Sequence, residues 1–357
     1  MTESERGAAG RGRTRTRQDD GWRNASRAGA RKPAGVVLSG AADIGMKWST
    51  RLLALLSVVM MGFIFVFVAG RAWPVVRESG LAFWTGADFD AQITAAYNAP
   101  AEDPVYRFGM FGLLAGTLAS TLLALVVAVP VGVGSAALLC EFAPGWLRTP
   151  AVAVVRLLAS IPSIVFGLVG LFVIVPFVES RFITVDMQIA FLDRFQMTGH
   201  NLLSSVIVLA CMIVPMIVAL SMDAIRSVPD SLREVGCAVG MTPWRVVRRI
   251  VLPSAKSGIL AGVILAAGRG IGEAIAISMV CGGIGMVPNP AYGAGFFLGP
   301  VLTLASAIIN KSEAISVPSI ESALFACGAV LLAIGAVLSV VSRLVMRHFR
   351  IKEGQDA

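Results

Sequence analysis

The sequence has few charged residues, few histidines and no closely spaced cysteines, and each shortage excludes a class of protein. Only 15% of the 357 residues are charged, whereas ordinary soluble domains carry about 25%. The five cysteines form no Cys-x-x-Cys pair, and the chain has two histidines. We therefore expect no disulfide framework, no metal site and no cofactor. No Gly-x4-Gly-Lys-Ser/Thr loop occurs, which argues against a nucleotide-binding P-loop in this chain.

Apolar residues are abundant and gathered into long runs. They make up 56% of the chain, and the mean hydropathy is +0.78. A helix that crosses a bilayer needs about 20 apolar residues. The sequence therefore predicts an all-α membrane protein with six transmembrane helices, approximately over Leu52–Gly70, Gly112–Leu139, Ala151–Val178, Leu202–Met222, Gly258–Gly283 and Ser322–Val345.

The distribution of basic residues orients these spans. With a cytoplasmic N-terminus, the inner segments carry 22 Lys and Arg residues and the outer segments carry six. Cytoplasmic loops are enriched in Lys and Arg, so we expect both termini in the cytoplasm. The apolar segment 299–309 is too short to cross and is predicted to be an external short helix or a re-entrant piece.

Three regions follow from this organisation. Residues 1–46 are basic and show no apolar period, so we predict a disordered cytoplasmic tail. Residues 47–111 would hold the first span and an extracytoplasmic segment, and 112–350 the main transmembrane domain. A nucleic-acid-binding function would rest on the tail alone, and we expect no nucleic-acid partner.

Pairs of glycines four residues apart also occur within the predicted spans. Small residues at this spacing allow helices to approach closely in a membrane. The pairs predict packing faces at Gly112/Gly116, Gly258/Gly262 and Gly268/Gly272.

The segment 223–256 carries the most specific pattern in the chain. Pro229 suits the first turn of a helix, and Gly240 suits the left-handed position after that helix ends. Thr242 followed by Pro243 reads as an N-cap and first residue of a second helix. We therefore predict a helix–turn–helix.

The spacing within this segment resembles a known signature. It resembles the EAA loop of ABC importer permeases, with two alanines replaced by Val235 and Gly236, and the matching residues are Glu234, Gly240, Ile250, Leu252 and Pro253. The resemblance implies a type I, MetI-like importer permease fold whose two short cytoplasmic helices couple to an ATPase. A secondary transporter or channel would not need this pattern.

After this segment comes a charged residue that is unfavourable inside a membrane. Arg269 lies about halfway along the predicted fifth span, and Glu273 is four residues later. An arginine at a membrane-helix centre costs about 2.5–3.5 kcal/mol to insert, which marks it as a functional candidate. The i, i+4 spacing predicts that Glu273 pairs with it. The guanidinium fork suits phosphate oxygens, although a purely structural ion pair explains the same residues.

The string GRGIGEAIAISMV around this pair is similar to the PstC family of phosphate importer permeases, with Ala274 and Ile275 in place of the usual Thr and Met. GLAFWTGADFD and TLASAIIN resemble two further stretches of that family. The resemblance implies a permease of inorganic phosphate without catalytic residues, in a bacterial inner or plasma membrane.

The same resemblance implies the partners. They are a PstA-like permease, a PstB-like ATPase dimer, an extracytoplasmic phosphate-binding protein and membrane lipid. Arg269 and Glu273 would lie on the substrate path. The alternative substrate is another oxyanion: molybdate, tungstate or sulfate.

Overall fold

The computed structural model describes the backbone of residues 34–100 and 102–355, and the side chains of 46–100 and 102–346. The described part is helical. Its elements are α1 (Ala34–Ser79), α2 (Ala82–Thr85), α3 (Phe89–Asn98), α4 (Phe111–Phe142), α5 (Gly145–Ser160), α6 (Ser163–Phe182), α7 (Val185–Phe191), α8 (Leu202–Arg226), α9 (Asp230–Ala238), α10 (Pro243–Ser254), α11 (Lys256–Ile271), α12 (Ile275–Ser278), α13 (Ala294–Leu298), α14 (Leu304–Asn310) and α15 (Pro318–Gln355).

The chain divides into two units between Phe63 and Ile64, within α1. Helix α1 begins at Ala34, so residues 34–46 of the segment interpreted as a tail are helical. The remainder of that tail, residues 1–33, lies outside the described residues. The second unit, from Ile64 onward, holds the rest of α1 and all later elements.

Five helices of the described chain are long and apolar enough to cross a membrane, and the count is six if a bent helix pair forms one span. The prediction of six transmembrane helices agrees with the count that includes this pair. The straight spans are Met46–Ser79, Phe111–Phe142, Ser163–Phe182, Leu202–Arg226 and Pro318–Met346. The bent pair is Pro243–Ser254 with Lys256–Ile271, at an angle of 67°.

The third span lies later in the chain than predicted. The sequence was expected to span over Ala151–Val178, but the helix ends at Ser160 and a new one begins at Ser163. Ile161 is extended (φ −63°, ψ 133°) because the residue before a proline, here Pro162, avoids the helical region. The preceding helix α5 has no buried residue, and it is not among the candidate spans.

Helix α8 is the centre of the bundle. In its apolar window 67% of the residues are buried, against 33% or less in the other straight spans. It packs against α4 and α11, and a continuous apolar core joins these helices to α15, including Leu113, Leu209, Ala266 and Cys327. The other spans leave apolar faces exposed, as expected for surfaces that contact lipid or a partner helix.

The segment predicted as a short helix or re-entrant piece forms the seven-residue helix α14. A capping box at Thr303 and Ser306 starts this helix, and residues 300–307 are buried. The described chain holds no strand, only an isolated parallel bridge between Gly282 and Val301. Segment 275–310 thus folds back into the bundle without crossing it.

Candidate functional site

The helix–turn–helix predicted over segment 223–256 is present as α9 and α10. Gly240 has φ +77° and follows the end of α9. Its N–H donates to the carbonyl of Cys237 (2.9 Å), and the N–H of Met241 donates to the carbonyl of Gly236 (3.1 Å). This pair of bonds is the Schellman motif, which needs a left-handed residue at the position of Gly240. The predicted left-handed conformation of this glycine is confirmed.

The start of α10 agrees with the sequence-based prediction, and the start of α9 differs from it by one position. Thr242 is the N-cap of α10 with Pro243 at its start, as predicted, although the threonine side chain makes no capping bond. Pro229 is the N-cap of α9 and not part of its first turn. Its extended backbone (φ −58°, ψ 140°) places Asp230 in the first turn, where a negative charge is favourable.

The two helices pack closely because of a residue that departs from the EAA pattern. A Cβ on Gly236 would lie 2.8 Å from Ile250 Cδ1 and 3.0 Å from Val246 Cγ2. Val246, Val247 and Val251 continue this contact into a core shared with the ends of α4 and α8. The helix pair is therefore held rigidly against the bundle, and the substitution of alanine by glycine permits the fit.

The residues of the signature have different environments. Glu234 and Gly240 are exposed, Ile250 and Leu252 are half-buried, and Pro253 is exposed. Ile250 and Pro253 line an open cavity of about 780 Å³ beside the start of α11. Glu234 and Gly240 lie outside that cavity.

One exposed side of α9 is apolar. It consists of Leu232, Val235 and Val239, which are 40%, 61% and 67% exposed. This spacing puts the three side chains on one side of a helix. Trp244 at the start of α10 is 59% exposed, and its ring lies 6.1 Å from that of Phe142. We call these four residues, Leu232, Val235, Val239 and Trp244, the apolar stripe.

Arg233 is a site residue that the sequence analysis missed. Its guanidinium donates to Glu141 Oε1 (3.0 Å) at the end of α4, to Asp230 Oδ1 (2.8 Å), and to the carbonyls of Val228 (2.7 Å) and Ile225 (3.0 Å). This one side chain ties α9 to the ends of α4 and α8. Glu141 lies 92 residues away in sequence, so no local spacing could have indicated the pair.

Arg269 lies in the last turn of α11, and Glu273 lies just beyond the end of that helix. Helix α11 ends at Ile271, and neither Gly272 nor Glu273 is helical. Arg269 is half-buried, whereas Glu273 is 8% exposed. The prediction of a continuous helix over Gly258–Gly283 is therefore wrong at its second half.

The ion pair predicted between these two residues is not formed in the described structure. An i, i+4 pair needs an unbroken helix, and the chain leaves the helix between the two positions. Glu273 Oε1 instead accepts a hydrogen bond from the backbone N–H of Ala276 (3.1 Å) at the start of α12. Among the described residues, the Arg269 guanidinium has no side-chain partner, so its donors remain available.

The three glycine pairs have three different roles. Gly258 and Gly262 pack against α8, as predicted, with Cβ positions 2.6 and 2.9 Å from Ala224 and Leu220. Gly112 and Gly116 of α4 instead admit loop backbone, since their Cβ positions would lie 2.5 Å from the carbonyls of Gly285 and Leu302.

The third pair is not a packing face. A Cβ at Gly268 would meet only Leu338 at 4.0 Å, and a Cβ at Gly272 only the backbone of α11. Gly270, between them, packs tightly: its Cβ would lie 3.2 Å from Thr121 Cγ2. The residue next to Arg269 is therefore fixed against α4.

Asp90 is a second residue without a sequence signal. Its carboxylate pairs with Lys311 at the end of α14 and accepts a hydrogen bond from the N–H of Gly285. One side chain on α3 thus fastens both parts of the segment that folds back into the bundle.

The comparisons with known proteins agree with this geometry. A family model described as the binding-protein-dependent transport system inner membrane component matches residues 128–351. The chain belongs to this family. The match includes α9, α10 and the broken span, so the expected fold class is confirmed.

Relatives and solved structures extend the match. The chain is 31% identical over 314 residues to the phosphate transport system permease protein PstC of Mesorhizobium japonicum, covering 86% of this chain and 90% of that protein. It is 32% identical over 294 residues to PstC 2 of Mycobacterium bovis, covering 81% and 86%. A chain of a bacterial alginate ABC transporter, solved with an alginate-bound periplasmic protein, shares the fold at a TM-score of 0.52 and 15% identity, covering 86% of this chain and 97% of that one.

Proposed function

We propose that the chain is a permease subunit of an ATP-driven importer of inorganic phosphate. The observation that carries the proposal is Arg269, a half-buried cation at the broken end of a candidate membrane span with no side-chain partner among the described residues. A guanidinium presents a planar set of donors that matches phosphate oxygens. The relatives named as phosphate permeases over most of the chain support the choice of anion.

Glu273 would set the geometry of this site without neutralising the arginine. Its carboxylate accepts the N–H of Ala276 and so fixes how the chain turns after α11. Arg269 would contact the travelling anion, and Glu273 would position the break.

The helix pair α9 and α10 would transmit movement from an ATPase. Glu234 and the apolar stripe are exposed on the same short helices, while Arg233, Gly236 and Ile250 attach those helices to the bundle. A partner that engages the stripe would therefore move α4 and α8. The partners are a PstB-like ATPase dimer, a PstA-like permease and an extracytoplasmic phosphate-binding protein. The ATPase dimer would hydrolyse the ATP.

The orientation follows from the same assignment. The side that holds α9 and α10 carries the exposed Arg245, Arg248 and Arg249, and such clusters favour the cytoplasm. Both termini would lie on that side of a bacterial inner or plasma membrane.

Reconstitution tests the function. The chain, its sister permease and the ATPase, purified together in proteoliposomes, should take up labelled phosphate when ATP and the loaded binding protein are supplied. Unlabelled phosphate should compete, whereas molybdate, tungstate and sulfate should compete poorly. Uptake of one of those three anions in preference to phosphate would assign the alternative substrate, and ATP-independent uptake would favour a secondary transporter.

A further inference from the structure

A polar cavity of about 400 Å³ opens beside α12, between the loop that precedes α8, the glycine loop after α12 and the end of α14. Its polar side chains come from three separate places in the chain. They are Gln196, Thr198, His200, Ser278 and Asn310.

The lining is rich in hydrogen-bond donors and poor in charge. None of the residues that line the cavity is Asp, Glu, Lys or Arg. Two of the donors, the Gln196 amide and the His200 imidazole, form no side-chain hydrogen bond or ion pair with the described residues. Neutral donors can hold an anion by hydrogen bonds without fully neutralising it, so binding there is weak and reversible.

The walls of the cavity are fixed by the backbone. Gly282 has φ +88°, and a Cβ there would lie 2.7 Å from both the His200 carbonyl and Pro300 Cβ. The N–H of Val301 donates to the carbonyl of Cys281 (2.7 Å). The glycine loop and the strand-like segment before α14 are therefore held together, and the cavity is formed before any ligand arrives.

The cavity lies one short helix from the broken span. Ser278 is the last residue of α12, and Glu273 accepts the N–H of Ala276 at the other end of that helix. Four helical residues rise by about 6 Å. The residues that line the cavity are thus separated by one short helix from the point where the chain leaves α11 after Arg269.

We propose that this cavity is a transient subsite for a small tetrahedral oxyanion, from which the substrate passes to Arg269. This inference rests on the proposed function and adds a step to it. The cavity strips part of the hydration shell and replaces it with neutral donors, and the single guanidinium then supplies the charge. Weak binding at the first position lets the anion move on.

A charge introduced into the cavity tests the subsite. Asn310→Asp and Ser278→Asp each place a carboxylate in the lining, where it would repel an anion of like charge. We expect each variant to lower phosphate uptake per assembled complex at least tenfold. Ser312→Asp is the matched control, because Ser312 is exposed like Asn310 and lies two residues from it, but is not part of the lining. It should transport at the parent rate.

If the aspartate variants do not fold, a negative charge can instead be attached chemically to a complex that has already assembled. Ser278→Cys, made in a chain whose exposed Cys211 and Cys237 are replaced by serine, is treated with an anionic or a neutral methanethiosulfonate of similar size. The anionic reagent should lower uptake at least fivefold more than the neutral one.

The outcomes separate the two proposals. A parent complex that shows no phosphate uptake overturns the proposed function and the subsite together. A parent that transports phosphate, with aspartate variants matching Ser312→Asp and equal effects of the two reagents, overturns the subsite alone.

Discussion

Replacement of Arg233 by methionine should loosen the attachment of α9 to the bundle. The side chain keeps its length but loses four hydrogen bonds, two of them to the backbone carbonyls of Val228 and Ile225. It also leaves Glu141 without its partner, at a position where that side chain is 16% exposed. Hydrogen bonds to charged groups contribute about 1.5–3 kcal/mol when buried. Partial exposure lets water replace some of them.

We therefore expect a loss of about 2 kcal/mol in the free energy that holds α9 in place, which corresponds to about a 30-fold larger opening constant. Hydrogen exchange of the α9 amides, Asp230–Ala238, in lipid nanodiscs measures this quantity. Protection in α8 should change little, because the loss is local. Arg245→Met is the control, since Arg245 is exposed on α10 and has no side-chain partner among the described residues.

A double-mutant cycle isolates the contact between helices. Arg233→Met and Glu141→Gln should couple by about 1–2 kcal/mol, because each removes the same charge-assisted bond. Additive effects, or α9 exchange in Arg233→Met that matches Arg245→Met, would refute the view that this arginine fastens the coupling helix.

The remaining predictions concern topology, the turn and close packing. An impermeant maleimide should label the exposed Cys237 only after the cells are permeabilised. It should label the introduced cysteine of an Asp88→Cys variant in intact cells. Labelling of Cys237 in intact cells would reverse the orientation. Gly240→Val should weaken ATPase binding and abolish uptake, because left-handed backbone costs about 1–2 kcal/mol or more for a β-branched residue, whereas Gly240→Asn should retain most activity. Equal uptake by these two variants would show that transport does not depend on the left-handed turn at Gly240. Gly116→Ala should destabilise the detergent-solubilised chain by about 1–3 kcal/mol, seen as a lower Tm, while Gly134→Ala, with no atom within 4 Å of its Cβ, should not.

The features that follow from local patterns were the ones the sequence predicted well. Long apolar runs gave the spans, and the Glu–Gly–Ile–Leu–Pro spacing gave a helix pair whose left-handed turn at Gly240 is present as expected. Each of these depends on composition or on the conformational preference of one residue, which does not need the rest of the fold.

The errors came where tertiary contacts or chain breaks decide the outcome. Hydropathy continued the third span through Ile161, although the following proline breaks the helix. It also continued the fifth span past Ile271, and the predicted Arg269–Glu273 pair depended on that continuity. Arg233 looked like one of several loop cations, since its partner Glu141 is distant in sequence.

Uptake by Arg269→Lys tests the central claim, that this arginine contacts the travelling anion. Lysine keeps the positive charge but lacks the planar fork, so phosphate uptake per assembled complex should fall at least tenfold while complex yield and Tm remain near the parent values. A structural role predicts the reverse pattern. Normal uptake per complex, with a lower yield or Tm, would contradict the claim and place the anion route elsewhere.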